Sequence, residues 1–253
     1  MAYKHGKPLI NCSLPFRIAS AMTFYGLWPI ASLVNRMLYG IRYEDLKKLT
    51  GFSQAILVSN HTTPLDPVSI SGALLPCRTW HTLLEETVET PILGTFIRLL
   101  GGIPLPQGRQ GLQHLLAVCK TAFRYRRFIH FYPEGDCYIY NQQIHVFKPG
   151  AFFIAAELDI PIIPLVSIFS EGPFKAHSLW GRSLPLKTIR ILDAVYPSGF
   201  IRRDAKGVLC TESIRNFAQA VRRIMQDAID VQGGSSAFYR GKMERIKGIH
   251  QPS

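Results

Sequence analysis

Short apolar runs alternate with segments of helical periodicity from residue 51 onward. The run at residues 55–59 (AILVS) is almost continuously apolar, which is typical of a strand buried on both faces. Residues 109–127 and the positions from Ile214 to Ile229 each place apolar side chains on one face of a helix. This alternation predicts a layered α/β domain. The predicted strands are 55–59, 79–84, 103–105, 128–132, 162–169 and 186–195, and the other predicted helices are 67–75, 88–100 and 150–158.

The segment before this domain is apolar in a different way. Residues 18–35 (IASAMTFYGLWPIASLVN) carry no charge and are interrupted by Gly26 and Pro29, so they are marginal as a bilayer span, which needs about 20 apolar residues. Basic residues flank both sides and give no orientation. We expect a helical segment lying in one leaflet, with a buried core helix as the alternative.

These patterns predict three regions. Residues 1–50 form a membrane-associating helical segment, residues 51–232 form one domain, and residues 233–253, which open with GGSS, form a basic and flexible tail.

The composition combines positive charge with high hydrophobicity. The 253 residues carry a formal net charge of +12, yet 47% are hydrophobic and only 18% are charged, which excludes a disordered chain. The charge excess lies in residues 1–50, 101–150 and 201–253. This combination indicates first an anionic membrane surface and second an acidic ligand.

The five cysteines are widely spaced, odd in number and without a Cys-x-x-Cys pair. We therefore expect neither a disulfide framework nor a zinc site. Reduced thiols facing the cytosol are the prediction.

The loop after the first predicted strand contains His61 and Asp66, which can meet only if the chain turns. Pro64 disfavours helix at Thr63, and Pro67 suits the first position of a new helix with Asp66 as its cap. Such a turn would bring the carboxylate to one imidazole nitrogen and leave the other nitrogen as a base. The alternative is a helix cap beside an ordinary loop histidine.

A second acidic candidate follows the strand at residues 128–132. Gly135 permits a tight turn, so Glu134 would be presented at the strand exit, where α/β domains bind ligands. The alternative is an ordinary acidic turn.

Two further segments carry weaker signals. Residues 101–109 are rich in glycine and proline, and their backbone amides together with Arg109 could hold a phosphate. Residues 161–165 are apolar, a pattern more typical of core than of a site.

The order and separation of these segments resemble the four blocks of the glycerolipid (lysophospholipid) acyltransferase family, which includes bacterial 1-acylglycerol-3-phosphate acyltransferase. The family has a His-x4-Asp motif, a Gly-rich block ending in arginine, a Phe-Pro-Glu-Gly-Thr block and a proline-flanked apolar block. The corresponding segments run from His61 to Asp66, Gly102 to Arg109, Tyr132 to Asp136 and Pro161 to Leu165. The resemblance covers residues 50–170. It implies a central mixed sheet flanked by helices, preceded by an apolar helical segment that docks to a membrane.

The resemblance also implies an activity. A fatty acyl group would pass from an acyl thioester, on coenzyme A or acyl carrier protein, to the hydroxyl of a lysophospholipid, first of all 1-acylglycerol-3-phosphate, without cofactor or metal. The protein would work at an anionic membrane surface on the cytoplasmic face. His61 is the expected base, and Asp66 orients it. The expected substrate-binding residues are Gly102, Arg109, Glu134, Gly135 and Lys148, and the expected acyl-chain or site-wall residues are Pro161, Ile163 and Pro164.

Some positions depart from the family pattern. Asp136 stands where threonine is usual, Cys137 where arginine is frequent, and Gln107 at the usual arginine position two residues before Arg109. An acceptor with another headgroup and a non-catalytic lipid-binding protein therefore stay open. A nucleic-acid partner is not expected, because no known binding motif or aromatic-basic platform is present, and a serine hydrolase is disfavoured by the missing G-x-S-x-G elbow.

Overall fold

A computed structural model describes residues 8–89, 92–106, 108–171 and 185–244. Within these ranges seven strands form one sheet, and seven α-helices accompany it. The strands are β1 (Arg42–Glu44), β2 (Ala55–Ser59), β3 (Trp80–Leu84), β4 (Gly102–Leu105), β5 (Phe128–Phe131), β6 (Ile162–Ser170) and β7 (Leu186–Ile191). The helices are α1 (Leu14–Tyr39), α2 (Asp66–Leu74), α3 (Glu85–Glu89), α4 (Leu93–Leu100), α5 (Gly108–Ala122), α6 (Gly150–Leu158) and α7 (Thr211–Val231).

The sheet is mixed, with the strand order β1-β7-β6-β2-β5-β3-β4. The strands from β6 to β4 in this order are parallel, whereas β7 is antiparallel to β6 and parallel to β1. Because β2 and β5 are parallel neighbours, the loops that follow them leave the sheet side by side at one edge. This edge is where an open α/β sheet binds its ligands.

Both faces of the sheet are covered. In β2, Ile56 and Val58 belong to the larger apolar cluster, which includes residues of α5, α6 and α7. Ala55 and Leu57 belong to a smaller cluster on the other face, which includes residues of α2. The predicted burial of this strand on two faces is therefore confirmed, and so are the α/β class and the mixed sheet.

The ends of several elements differ from the prediction. Residues 88–100 contain parts of two helices, because Ile92, directly before α4, has a positive φ of 64° that an α-helix cannot contain. Helix α5 ends at Ala122 and β7 ends at Ile191, both short of the predicted ends. Strand β1 was not predicted, since three residues are too few to show a periodicity.

The apolar N-terminal segment forms α1, a single helix with Pro29 inside it. It packs against α2 and α4 and buries only Ser20, Phe24, Asn35 and Tyr39. The alternative of a core helix packed on the rest of the domain is therefore correct for the packing of one side but not for full burial, and a segment lying in one leaflet stays a prediction. None of the helices in the described residues combines the length and the hydropathy that a bilayer span requires. The large apolar side chains that α1 leaves exposed are Leu14, Ile18, Met22, Tyr25, Leu27, Ile30, Leu33, Val34, Met37 and Leu38.

The start of the predicted C-terminal tail packs on the domain. The backbone N–H of Ser235 donates to the carbonyl of Phe169 at the end of β6, at 3.0 Å. Phe238 is buried. The prediction of a flexible tail is therefore wrong as far as residue 244, because backbone hydrogen bonds and an apolar anchor hold it.

Close packing at Gly72 of α2 gives a first prediction. A Cβ at this position would overlap the hydroxyl of Tyr43 and lie 3.4 Å from Trp28 Cζ2 of α1. We expect Gly72→Ala to lower the free energy of unfolding by about 1–2 kcal/mol, because overpacking outweighs the better helix propensity of alanine. Urea denaturation followed by circular dichroism measures the change.

Gly26 in α1 is the matched control, because a Cβ there meets nothing within 4 Å. Gly26→Ala should raise the unfolding free energy by up to about 1 kcal/mol. Equal gains for the two variants would contradict the close approach at Gly72.

Candidate active site

Two loops meet at the edge of the sheet where β2 and β5 end. His61 follows β2, and Tyr132 follows β5. The two rings stack with their centroids 3.9 Å apart and an interplanar angle of 19°. The first and third motifs, predicted at two strand exits, are thus adjacent in space.

The predicted turn between His61 and Asp66 is present. Nδ1 of His61 lies 2.9 Å from Oδ2 of Asp66. The same oxygen accepts the backbone N–H groups of Thr62 at 2.6 Å and Thr63 at 3.0 Å. Asp66 is fully buried, whereas 20% of the His61 side chain is exposed. An ionised Asp66 accepts the proton of Nδ1, which leaves the lone pair of the neutral ring on Nε2.

Asp66 does not cap helix α2, although the sequence suggested that it would. Helix α2 begins at Asp66 itself, and its N-terminus has no side-chain cap. The carboxylate turns back toward the preceding loop, where Oδ1 accepts the hydroxyl of Thr63 at 2.6 Å. The Asp66 side chain therefore orders the loop that carries His61.

Lys187 completes the environment of Asp66 and was not predicted. Its side chain is fully buried, and Nζ lies 2.5 Å from Oδ1 of Asp66. Burial by itself would raise the pKa of Asp66, but the Lys187 ammonium and the hydrogen bond from His61 hold that pKa well below its usual range. The carboxylate is thus kept ionised without access to water.

A chain of buried neutral groups lies behind Tyr132. His130 packs edge-on against Tyr132, and its Nδ1 lies 3.3 Å from Nδ1 of His81. Burial and the nearby Arg126 lower the pKa of His81 to about 3. Burial also lowers the pKa of His130. Both rings are therefore neutral near pH 7. The sequence gives no signal of this network, because the two histidines lie inside strands and belong to no motif.

Glu134 has a different place from the one expected. Its Oε1 accepts the backbone N–H of His61 at 3.1 Å, and Oε2 accepts that of His145 at 3.0 Å. The side chain is buried and is not among the residues that line the cavity described next. Burial raises the pKa of Glu134 to about 7, although both backbone hydrogen bonds lower it. Glu134 thus holds the backbone of His61, and its expected role in substrate binding stays a prediction.

A cavity of about 880 Å³ opens beside His61, which is within the usual range for small-molecule sites. Its wall is largely apolar and includes residues of β3, β4, α4 and α5. Its apolar residues include Leu83, Leu84, Leu93, Ile97, Leu100, Leu105, Leu112, Leu115 and Phe131. The arrangement places a potential base next to space for an aliphatic chain.

Other predicted residues also border this cavity. Gly135 and Lys148 line it, and Gly135, with φ 77°, lies directly against the Lys148 side chain. Gly102 lines it as the first residue of β4, where a Cβ would come within 2.6 Å of Ile97 Cγ2. The side chain of Arg109 lies outside the described part of the structure.

Pro161, Ile163 and Pro164 do not line the cavity. Ile163 is fully buried in the smaller apolar cluster, and the backbone carbonyls of Pro161 and Pro164 bind neighbouring strands and loops. These residues thus form the interior of the sheet, and their expected role as an acyl-chain or site wall stays a prediction.

One cysteine, Cys137, lies on the cavity wall. It is a buried free thiol, and burial raises its pKa to about 12, so the thiol stays protonated. Among the residues that the structure describes, no group of three His, Cys, Asp or Glu side chains is arranged to hold a metal ion.

Comparison with known proteins agrees with this site. The family model described as Acyltransferase matches residues 40–168. The chain is 26% identical to human 1-acyl-sn-glycerol-3-phosphate acyltransferase beta over 200 residues, covering 77% of this chain and 69% of the relative. It is also 26% identical to the 1-acyl-sn-glycerol-3-phosphate acyltransferase of Saccharomyces cerevisiae over 187 residues, covering 72% of this chain and 58% of the relative.

The fold has a counterpart among solved structures. The crystal structure of the 1-acyl-sn-glycerophosphate (LPA) acyltransferase PlsC from Thermotoga maritima superposes with a TM-score of 0.59 at 19% identity. The match covers 89% of this chain and 86% of that one. The family model spans both loops of the site, and the chain belongs to the Acyltransferase family.

Proposed function

We propose that this O-acyltransferase moves a fatty acyl group from a thioester to the free hydroxyl of a lysophospholipid, with 1-acylglycerol-3-phosphate as the leading acceptor. The observation that carries the proposal is the His61–Asp66 pair on the wall of a largely apolar cavity. The names of the relatives support this acceptor. The donor is an acyl thioester of coenzyme A or of acyl carrier protein, whose phosphates or acidic surface suit a basic protein.

In the proposed mechanism, Nε2 of His61 takes the proton of the acceptor hydroxyl while the oxygen attacks the thioester carbonyl. The tetrahedral intermediate then collapses, the carbon–sulfur bond breaks, and the imidazolium returns the proton to the leaving thiolate. Asp66 accepts the Nδ1 proton throughout and stabilises the imidazolium. The protonated state of Cys137 favours direct transfer without an acyl-enzyme.

Lys187 acts in this mechanism through Asp66. Its ammonium keeps the buried carboxylate ionised, and an ionised carboxylate is what stabilises an imidazolium. Lys187 is thus a positioning and electrostatic residue, not one that touches substrate.

The acceptor phosphate would bind cationic side chains at the cavity. Lys148 is exposed there, and the sequence motif assigns Arg109 to the same task.

One observation favours a second candidate, an acceptor with a different headgroup. Asp136 lines the cavity at the position of the family's threonine and pairs with Lys242 at 3.0 Å.

Membrane association on the cytoplasmic face is part of the proposal. Helix α1 leaves ten apolar side chains of substantial size exposed, and Arg17 and Arg36 lie toward its two ends. An apolar surface with basic flanks suits an anionic bilayer surface. Docking through α1 would bring the cavity to a lipid substrate.

The catalytic pair yields the most direct prediction. We expect His61→Ala and Asp66→Asn to lower acyl transfer by at least about 10²–10⁴-fold, because general-base catalysis is lost. Transfer of a radiolabelled acyl group from acyl-coenzyme A to a panel of lysophospholipids and glycerol 3-phosphate, with acyl carrier protein as a parallel donor, measures the loss and identifies the acceptor. His114→Ala, on the exposed side of α5, serves as the control. Near-normal turnover in His61→Ala would refute the mechanism.

Removal of the Lys187 cation should lower the free energy of unfolding by an amount that depends on pH. In the wild type, the pKa of Asp66 is lower in the folded than in the unfolded protein. The ionised carboxylate therefore stabilises the fold fully above the unfolded-state pKa of about 3.9, and this stabilisation is lost only as pH falls through the lower folded-state pKa. Lys187→Met leaves a buried carboxylate without its cation, so burial raises that pKa. We expect a loss of about 3–5 kcal/mol in unfolding free energy at pH 7.5, which shrinks toward pH 5 as Asp66 becomes protonated.

Denaturant titrations at both pH values measure this difference. The double variant Lys187→Met with Asp66→Asn should recover part of the stability, since the carboxylate charge is removed. A loss that is equal at both pH values would show that Lys187 contributes only packing.

The role of α1 is tested separately. Met22, Ile30 and Met37 are 72%, 63% and 77% exposed, so replacing all three with glutamine should leave the fold intact. We expect binding to vesicles with anionic lipid to fall by at least about tenfold, because each side chain loses burial in the bilayer. Val231→Gln, at an 84% exposed position outside α1, is the control for sedimentation with vesicles. Unchanged binding of the triple variant would exclude docking through this surface.

A further inference from the structure

Residues 239–244, called the C-terminal strap below, pair with the loop that follows the third motif. The backbone N–H of Ile139 donates to the carbonyl of Gly241 at 2.9 Å, and that of Arg240 donates to the carbonyl of Ile139 at 3.0 Å. The N–H of Met243 donates to the carbonyl of Cys137 at 2.8 Å. The strap is thus added to this loop as a short antiparallel strand would be.

The other side of the same loop pairs with the catalytic loop. The N–H of Tyr138 donates to the carbonyl of His61 at 2.9 Å, and the N–H of Tyr140 donates to the carbonyl of Thr62 at 3.0 Å. Residues 137–140 therefore use alternate backbone groups to join His61 on one side and the strap on the other. Any displacement of the strap acts on a segment that is bonded directly to the backbone of His61.

Side chains also hold the strap in place. Lys242 Nζ lies 3.0 Å from Asp136 Oδ2, in the turn that follows Glu134. Met243 and Glu244 line the cavity that His61 borders, together with Cys137 and Asp136. The thioether of Met243 is unbranched and adapts its shape to apolar partners.

We infer that the strap completes the substrate site and that Met243 contacts the acyl chain of a bound substrate, setting which chain lengths are accepted. The inference rests on the proposed function, because it assigns part of the same cavity. The chain could belong to the thioester donor or to the lysophospholipid acceptor, since both are aliphatic. A residue of the strap thus acts as a determinant of specificity, although it lies far outside residues 40–168 that match the family model.

The test uses the full chain and two substitutions of opposite size. Met243→Ala should enlarge the cavity, and Met243→Trp should shorten it. We expect the ratio of kcat/KM for long over short chains to rise in the first variant and to fall in the second, by about tenfold between the two. One arm varies a saturated acyl-coenzyme A series with a fixed acceptor, and the other varies the acyl chain of the lysophospholipid with a fixed donor. The arm that responds identifies the chain that Met243 contacts.

Val208→Ala and Val208→Trp are the matched controls, because Val208 is 59% exposed and does not line the cavity. A wild-type chain-length profile for both Met243 variants in both arms would overturn the inference while leaving the acyltransferase proposal intact. A binding measurement tests the contact of Met243 with the acyl chain without turnover. It compares the affinity of a long-chain acyl-coenzyme A for the His61→Ala variant and for the double variant His61→Ala with Met243→Trp. Weakening by about tenfold is expected, and unchanged affinity for acyl-coenzyme A would show that Met243 does not contact the donor chain.

Discussion

Asp66 is a carboxylate without access to water, so its charge and its lone pairs have to be satisfied inside the protein. Three parts of the chain meet this requirement. The loop after β2 contributes two backbone amides and two threonine hydroxyls, His61 contributes the proton on its Nδ1, and Lys187 contributes a cation from β7. A single buried charge thereby joins the turn that presents His61, the start of α2 and the outer part of the sheet.

The mixed character of the sheet makes this arrangement possible. In a fully parallel sheet, β7 would begin at the edge opposite to the site. Because β7 runs antiparallel to β6, its first residues lie where β2, β5 and β6 end, and Lys187 is opposite Phe169. The reversal of one strand thus delivers a lysine to a carboxylate that is 121 positions away in the chain.

Most of the fold could be predicted from the sequence because the central strands are apolar on both faces and the helices show clear periodicity. The break near Ile92 and the three-residue strand β1 could not, since neither changes the pattern of apolar residues. For the site, the His61–Asp66 pair was predictable because prolines force the intervening turn. Lys187, the buried histidines and the C-terminal strap depend on contacts between distant segments, which a sequence pattern does not show. The motifs that contain Glu134 and Pro161–Leu165 indicate residue positions but not the direction of side chains, so their orientation away from the cavity was not predictable.

The contact between the two buried histidines also restricts which of their ring nitrogens carry a proton. Only one proton fits between the two Nδ1 atoms of His81 and His130. One ring therefore donates from its Nδ1 and the other ring accepts there. The second nitrogen of each ring faces a serine hydroxyl, with Ser59 at 2.9 Å from Nε2 of His130 and Ser71 at 3.0 Å from Nε2 of His81. Whichever ring donates, the two neutral imidazoles are opposite tautomers, and neither ring can change its tautomer without the other.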